Sequence, residues 1–326
     1  MPLPPAFPSP PGGAPAQAAF APGLGLSTAR SALLMLSDLA IWVASACAAA
    51  ASGSPLAYGL AWLCIGSRMR ALDNLAHEAS HRLLSRHCRL NDAAGAVCSA
   101  LLLTGFRRYR AEHLRHHARL GTPQDPDLLR YHQIGLAELP RVLRPIPLLR
   151  ALPRGYWRYV AGGARGTSPR AQALRRAAGM LSACITALAF GGTAALEAIA
   201  LYWLVPLLST YQGIRFIVEA GEHAALYQRA PASAPLRVRA VAMTRNMRVN
   251  PLLGLFLYPH GDAHHMLHHR FPGVPGPCLT RLRAALERQG WHRGIRPENW
   301  ASPLLGRGGL TAQFSAGRAP RSGSSR

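Results

Sequence analysis

Three histidine clusters constrain this chain more than any other feature: His77-Glu78-Ala79-Ser80-His81, His113-Leu114-Arg115-His116-His117 and His265-Met266-Leu267-His268-His269. Residues three or four apart share one face of an α-helix. Each cluster, if helical, therefore aims its ring nitrogens in one direction. Neutral imidazole is the commonest metal ligand in proteins. Eight imidazoles are too many for one first-row ion and suit two six-coordinate ions with open positions. An all-nitrogen set fits iron, copper or zinc. The fold must then gather positions as distant as His77 and His269 around one centre.

The apolar runs say where that centre sits. A bilayer-spanning helix needs about 20 apolar residues. Residues 32–51 and 194–214 meet that length, and 55–67 and 177–191 approach it. The first run carries one acid, Asp38, and the fourth has Glu197 near its start. The second is short and needs Arg68 and Arg70 to reach toward the interface, or the helix to start a little earlier. Ser52-Gly53-Ser54-Pro55 joins the first pair and Gly191-Gly192 the second, so both pairs read as tight helical hairpins. The apolar stretch 93–105 is too short to cross, and would lie in the interface or dip in and return. Tyr58, Trp62, Tyr202 and Trp203 lie in or near the runs and read as packing or interface anchors.

Charge sets the orientation. The chain has 37 basic residues, all Arg, against 14 acids, for a formal charge of +23. About twenty of those Arg lie in residues 68–176, and neither hairpin turn has one. By the positive-inside rule the Arg-rich regions, both termini and all three clusters face the cytoplasm. No nucleic-acid motif appears and the Arg flank apolar runs, so no nucleic-acid partner is predicted. Anionic lipid head groups and an acidic protein partner remain as readings of the charge. The predicted fold is all-α and integral to the membrane. Four transmembrane helices form two hairpins, and a cytoplasmic helical cap holds the metal site. Residues 1–26 and 306–326 read as disordered tails around a single domain, 27–305. The first 26 residues lack the basic start and apolar core of a secretory signal. The six cysteines form no C-x-x-C pair and read as small hydrophobes in a reducing compartment.

The clusters, their order and their setting around two apolar hairpins resemble the membrane-bound fatty acid desaturase family. The third cluster continues as His268-His269-Arg270-Phe271-Pro272-Gly273-Val274-Pro275, similar to the family's H-H-x-F-P-x-x-P run. The second is followed by Gly121-Thr122-Pro123-Gln124-Asp125-Pro126-Asp127, similar to the family's D-P segment. Thr244-Arg245-Asn246 resembles bacterial members, and the H-x-x-x-H first box looks like the acyl-lipid type.

The resemblance implies a non-haem di-iron centre that uses O2. Its ligands would be His77, His81, His113, His116, His117, His265, His268 and His269. A ninth, His223, is implied by the family's ligand after the fourth span. Where acyl-CoA desaturases place an Asn four residues earlier, holding a metal-bound water, this chain has Glu219. Glu219 as ligand, Glu219 as outer acceptor and Glu222 in either role all stay open. Ligand histidines need acceptors behind them, and Glu78, Glu112, Asp125, Asp127 and Asp262 lie near the boxes. His260 and His264 flank the third box without reading as ligands, and His87, His132 and His292 read as isolated. The implied activity is O2-dependent desaturation of a long acyl or lipid-like chain on an acyl-lipid or acyl-carrier substrate within membrane lipid. No H-P-G-G segment suggests a fused cytochrome, so electrons would come from a separate ferredoxin or cytochrome b5 type donor. Hydroxylation shares the first hydrogen abstraction and is the alternative within the superfamily. A membrane protein holding structural or sensing metal is the alternative outside enzymes.

Overall fold

The computed structural model describes residues 27–127, 169–223, 226, 229–288 and 298–299. The two tails, His132 and His292 lie outside them.

Helix α1 (Thr28–Ser52) starts where the Ser27 side chain accepts the Arg30 N–H at 3.2 Å. It stops at Gly53, whose left-handed φ of 63° lets its N–H bond back to the Ala49 carbonyl. The next residue caps α2 (Pro55–Ser80): Ser54 accepts the Ala57 N–H at 3.1 Å, and Pro55 fills the first position, where its missing N–H costs nothing. The turn is thus two caps back to back.

Helix α2 does not end at the second apolar run. Its 26 residues extend about 39 Å, so one rod carries the apolar run and the first box. Arg68, Arg70 and Asp73 along it are buried because each is paired. Arg68 bonds Asp38 at 2.9 Å, and Arg70 bonds Asp73 at 2.9 Å and Asp262 at 2.6 Å. The helix also templates the segment that bears the third box. Ser67 donates to the Phe256 carbonyl (2.8 Å), Asn74 to that of Pro259 (2.9 Å), and Glu78 accepts the Gly276 N–H (3.0 Å).

Helices α3 (Cys88–Leu101) and α4 (Phe106–Arg119) follow. Helix α3 covers most of the stretch expected at the interface, and it leaves Leu90 and Val97 exposed. Helix α5 (Pro169–Ile199) bends at Gly192, φ 61° and ψ −157°, the second expected turn. The sequence predicts one helix over 194–214, and the chain departs from it. A π-helical turn (Ala200–Leu204) and a short α6 (Val205–Leu208) lead to a break at Ser209 before α7 (Thr210–His223). The cause is Pro206, which has no N–H for the carbonyl four residues earlier. That carbonyl, Tyr202, instead accepts the Trp42 indole at 2.8 Å, tying α1 to the irregular stretch. Tyr58 stacks on Tyr202 (6.1 Å, 9°) and Trp203 donates to the Leu101 carbonyl. Both contacts fit packing, around a core of Ala49, Ile65, Met69, Leu207 and Tyr211.

Helix α8 (Leu236–Ala242), β1 (Met247–Arg248), α9 (Pro251–Leu257), a 3-10 turn (Pro259–His264), α10 (His265–Arg270) and α11 (Gly276–Arg288) complete the cap. Strand β1 pairs in parallel with β2 (Glu298–Asn299), Met247 opposite Glu298. Two helical runs among the described residues are long and apolar enough to cross a membrane, Thr28–Ser52 and Met180–His223. All six cysteines are free thiols.

Candidate metal centre

Four helices deliver the histidines. His77 lies in the last turn of α2 and His81 caps it, His113, His116 and His117 line α4, His223 ends α7, and α10 holds His265, His268 and His269. All nine expected ligands converge, in two groups. In the first, His77, His81, His113, His117 and His268 bring one nitrogen each within 4.8 Å of the others. In the second, His116, His223 and His269 do the same. His265 joins it, with Nε2 2.8 Å from that of His223 and 3.0 Å from that of His269.

The spacing of these nitrogens tests whether a metal fits. Nε2 atoms of His81 and His113 lie 2.8 Å apart, those of His117 and His268 3.0 Å, and those of His116 and His269 3.3 Å. In an octahedron with metal–nitrogen bonds of about 2.1 Å, adjacent nitrogens sit about 3.0 Å apart. The outer nitrogens then fix the tautomers. His223 Nδ1 faces the Met243 carbonyl at 3.1 Å, so it must carry the proton and donate. His116 Nδ1 donates to Asp125 at 2.8 Å, and His265 Nδ1 faces Glu222 at 3.5 Å. The Nε2 atoms of His116 and His223 therefore present bare lone pairs to the centre, where a cation would satisfy them. The buried Nε2 of His77 likewise has no hydrogen-bond partner among the described residues.

Electrostatics keep the rings neutral, as ligation requires. Burial is the leading cause at every one of them that is shifted. It pushes His223 down to about 3 with help from His116, and His81 to about 4 with help from Arg110. His77, His113, His117, His265, His268 and His269 are lowered well below the ordinary imidazole range for the same reason. Burial alone would raise Asp125, but the hydrogen bond and charge of His116, with the N–H groups of Gly121 and Asp127, hold it below the usual carboxylate value. Glu78 is pushed up to about 8 by burial, against the pull of the Gly276 N–H.

The expected outer acids divide. Asp125 backs His116 directly, Asp127 stands 3.7 Å from the same ring, and Glu78 lies 3.7 Å from His77 Nδ1. Asp262 binds Arg70 at 2.6 Å. Glu112 pairs with Arg108 at 2.6 Å. Glu219 is engaged by Arg215 at 2.6 Å, while Glu222 lies within 4.8 Å of the His223 and His265 ligand atoms. His264 bonds Thr280 (2.9 Å), His260 bonds Asp38 (2.8 Å), and His87 is exposed at the start of α3. Sequence reasoning missed two partners of these side chains. The Met243 carbonyl is invisible because any residue offers one. Asp38 did leave a signal, an acid inside an apolar run.

Comparison with known proteins bears on the same residues. The fatty acid desaturase family matches residues 53–297, a stretch that includes every histidine in both groups. The dihydrorhizobitoxine desaturase of Bradyrhizobium elkanii is 30% identical over 241 residues, 67% of this chain and 64% of its own length. An endoplasmic-reticulum omega-3 fatty acid desaturase of Vigna radiata var. radiata is 30% identical over 95 residues, 29% of this chain and 25% of the relative. The chloroplastic sn-2 acyl-lipid omega-3 desaturase (ferredoxin) of Helianthus annuus is 30% identical over 92 residues, 28% and 21% respectively. The chain thus spans less than two thirds of the length of these relatives. With most of its length matched, the chain belongs to the fatty acid desaturase family.

Proposed function

We propose that the chain is an O2-dependent desaturase that removes two hydrogens from adjacent carbons of an acyl or similar apolar chain. Overall, –CH2–CH2– with O2, two electrons and two protons gives –CH=CH– and two waters. The single observation that carries this reading is the pair of histidine groups with lone pairs facing inward, in a chain of this family. When bound there, two irons would supply the O2 reduction and C–H oxidation. His77, His81, His113, His117 and His268 would hold one, and His116, His223, His265 and His269 the other.

The chain's own residues do the rest. Asp125 and the Met243 carbonyl hold imidazole protons at the outer nitrogens of His116 and His223, which keeps the inner ones free to ligate, and Glu222 stands 3.5 Å from His265 Nδ1. Burial of the second group excludes bulk water from it. With no acid–base pair needed for the C–H step, which bond reacts is set by how the substrate chain is held. All three relatives carry names of desaturases. One is named for dihydrorhizobitoxine, one for a fatty acid and one for an acyl-lipid, which supports the reaction type more than any one substrate. The word ferredoxin in one name, and the excess of Arg, support a separate and acidic electron donor.

In the membrane arrangement that goes with this, 32–51, the N-terminal half of α2, and the two arms on either side of Gly192 cross the bilayer. Both termini and the boxes face the cytoplasm. Exposed Leu33, Leu36, Leu56, Leu60, Ile185 and Phe190 support lipid contact for all but the last arm. Reporters fused after Ser54 and Gly192 should lie on the opposite side from those after Arg130 and Arg326. A reporter after Arg130 on the outer side would refute the orientation.

The activity test uses membranes containing the full chain, supplied with ferredoxin, its reductase, NADPH and air. Acyl lipids, acyl-carrier-protein and acyl-CoA form the substrate panel. A product lighter by two hydrogens is expected. A product heavier by one oxygen, and nothing else, would assign a hydroxylase. Purified protein with a single zinc and no iron, after growth with ample iron, would sink the di-iron reading.

A further inference from the structure

We propose that Asp38, buried in α1, is a positioning residue of the metal centre: through Arg68 and His260 it fixes the turn that launches the third histidine box. This rests on the metal-centre reading above and adds a residue from the first apolar helix to it.

Asp38, the one acid of α1, is 1% exposed. An acid in such a segment is costly to bury and persists only with a partner and a use. Asp38 has two partners. One carboxylate oxygen accepts Arg68 Nη1 at 2.9 Å, and the other faces His260 Nε2 at 2.8 Å. Arg68 spends its second nitrogen on the Ser67 hydroxyl (2.8 Å) and the Leu255 carbonyl (2.5 Å). The chain is therefore tied to this pair both before the turn, at Leu255, and within it, at His260.

The turn needs such a tie. His260 and Gly261 are both left-handed, with φ of 61° and 89°. Two such residues in succession kink the chain between α9 and α10. Gly261 has no alternative, since a Cβ there would lie 2.1 Å from the Gly276 carbonyl oxygen. His260 carries a Cβ, so its conformation is unfavourable in isolation and must be imposed by its surroundings. The bond to Asp38 is what imposes it. Beyond the turn, Asp262 lands on Arg70 and His265 lands 2.8 Å from His223. A His260 released from Asp38 would relax toward ordinary φ, swing the start of α10, and loosen His265, His268 and His269 together. Those three serve both histidine groups.

Cobalt(II) titration of the full chain in nanodiscs, followed by visible absorption, tests this without turnover. Wild-type chain should take up two cobalt ions. Asp38→Asn should weaken cobalt binding about 10-fold, the low end of the cost of losing a group that orients a ligand directly. His260→Gly added to Asp38→Asn should restore most of the affinity and the wild-type spectrum, because glycine holds positive φ unaided. A residue that merely staples α1 to the cap would not be rescued this way. If Asp38→Asn fails to fold, His260→Ala against His260→Gly carries the same test: alanine should lose affinity and glycine keep it. Unchanged binding in Asp38→Asn, a loss that His260→Gly leaves uncorrected, or equal binding by the two His260 variants would overturn the proposal while leaving the metal centre standing. Wild-type chain that binds no cobalt would overturn both.

Discussion

The two histidine groups share α4 and α10 yet sit in different surroundings. His116, His223, His265 and His269 are all buried, and three of their outer nitrogens face Asp125, the Met243 carbonyl and Glu222. In the five-histidine group His77, His81 and His117 are half-buried, and the nearest carboxylate, Glu78, stands off at 3.7 Å from His77. His268 Nδ1 has no hydrogen-bond partner among the described residues. A ligand ring whose outer nitrogen is held has its tautomer and direction settled before metal arrives. The four-histidine group is therefore the rigid half of the centre. The five-histidine group compensates for looser rings with one more of them, and is the less buried half.

The largest expected effect comes from removing a ligand of the rigid half. His223→Ala leaves three imidazoles there and should leave about one metal per chain, with turnover down by about 100-fold or more. Metal analysis beside a turnover assay checks it. In the five-histidine group, His81→Ala leaves four rings and should retain more metal. Equal losses in both variants would break the contrast.

Removing what holds a ring, rather than the ring, comes next. Asp125→Asn keeps the shape but cannot hold the His116 proton with a charge. Metal affinity of the four-histidine group should fall about 10- to 100-fold. Glu78→Gln, behind the longer 3.7 Å contact, should cost less at the other group. Metal titrations of the two variants decide the order, and a greater loss in Glu78→Gln would reverse the assignment of the rigid half.

How far the sequence foresees this centre depends on how local each interaction is. The eight box histidines are readable from spacing alone, because helical periodicity puts them on one face whatever surrounds them. His223 has no such neighbours and is found only through the family resemblance. The burial of the charged half of α2 is hidden for the opposite reason. Arg68, Arg70 and Asp73 end the apolar run as read along the chain, yet in space they are buried by Asp38 and Asp262, far away in sequence. The break at Ser209 was signalled by Pro206, but the indole of Trp42 that receives the freed carbonyl was not. The division of the nine histidines into five and four is likewise a matter of which helix faces which, and no pattern within one box encodes it.

Exposure gives a kinetic version of the same contrast. A chelator reaches a half-buried group more readily than one enclosed on all sides. With EDTA in excess, metal should leave in two phases, the five-histidine group first and about 10-fold faster, with outer-shell restraint slowing the rest. Stopped-flow absorbance of the cobalt form would resolve the phases. A single phase would mean that the two groups open together, and the rigid half would have no separate existence.

The smallest effect is expected at Glu219, and its smallness is informative. In α7 it lies one turn before His223, so spacing alone makes it a ligand candidate. Its carboxylate is instead held by Arg215 at 2.6 Å, whereas Glu222 faces the outer nitrogen of His265 at 3.5 Å. Glu219→Gln should therefore keep full metal content and change turnover by no more than about 3-fold, the scale of a partly exposed helical ion pair. Glu222→Gln should act more strongly, and at the four-histidine group alone, because it loosens His265. Comparing metal content in the two variants separates the roles. Loss of a metal in Glu219→Gln with retention in Glu222→Gln would mean that Glu219 leaves Arg215 to ligate when the centre is loaded, so that the rigid half is completed by a carboxylate rather than built from imidazole alone.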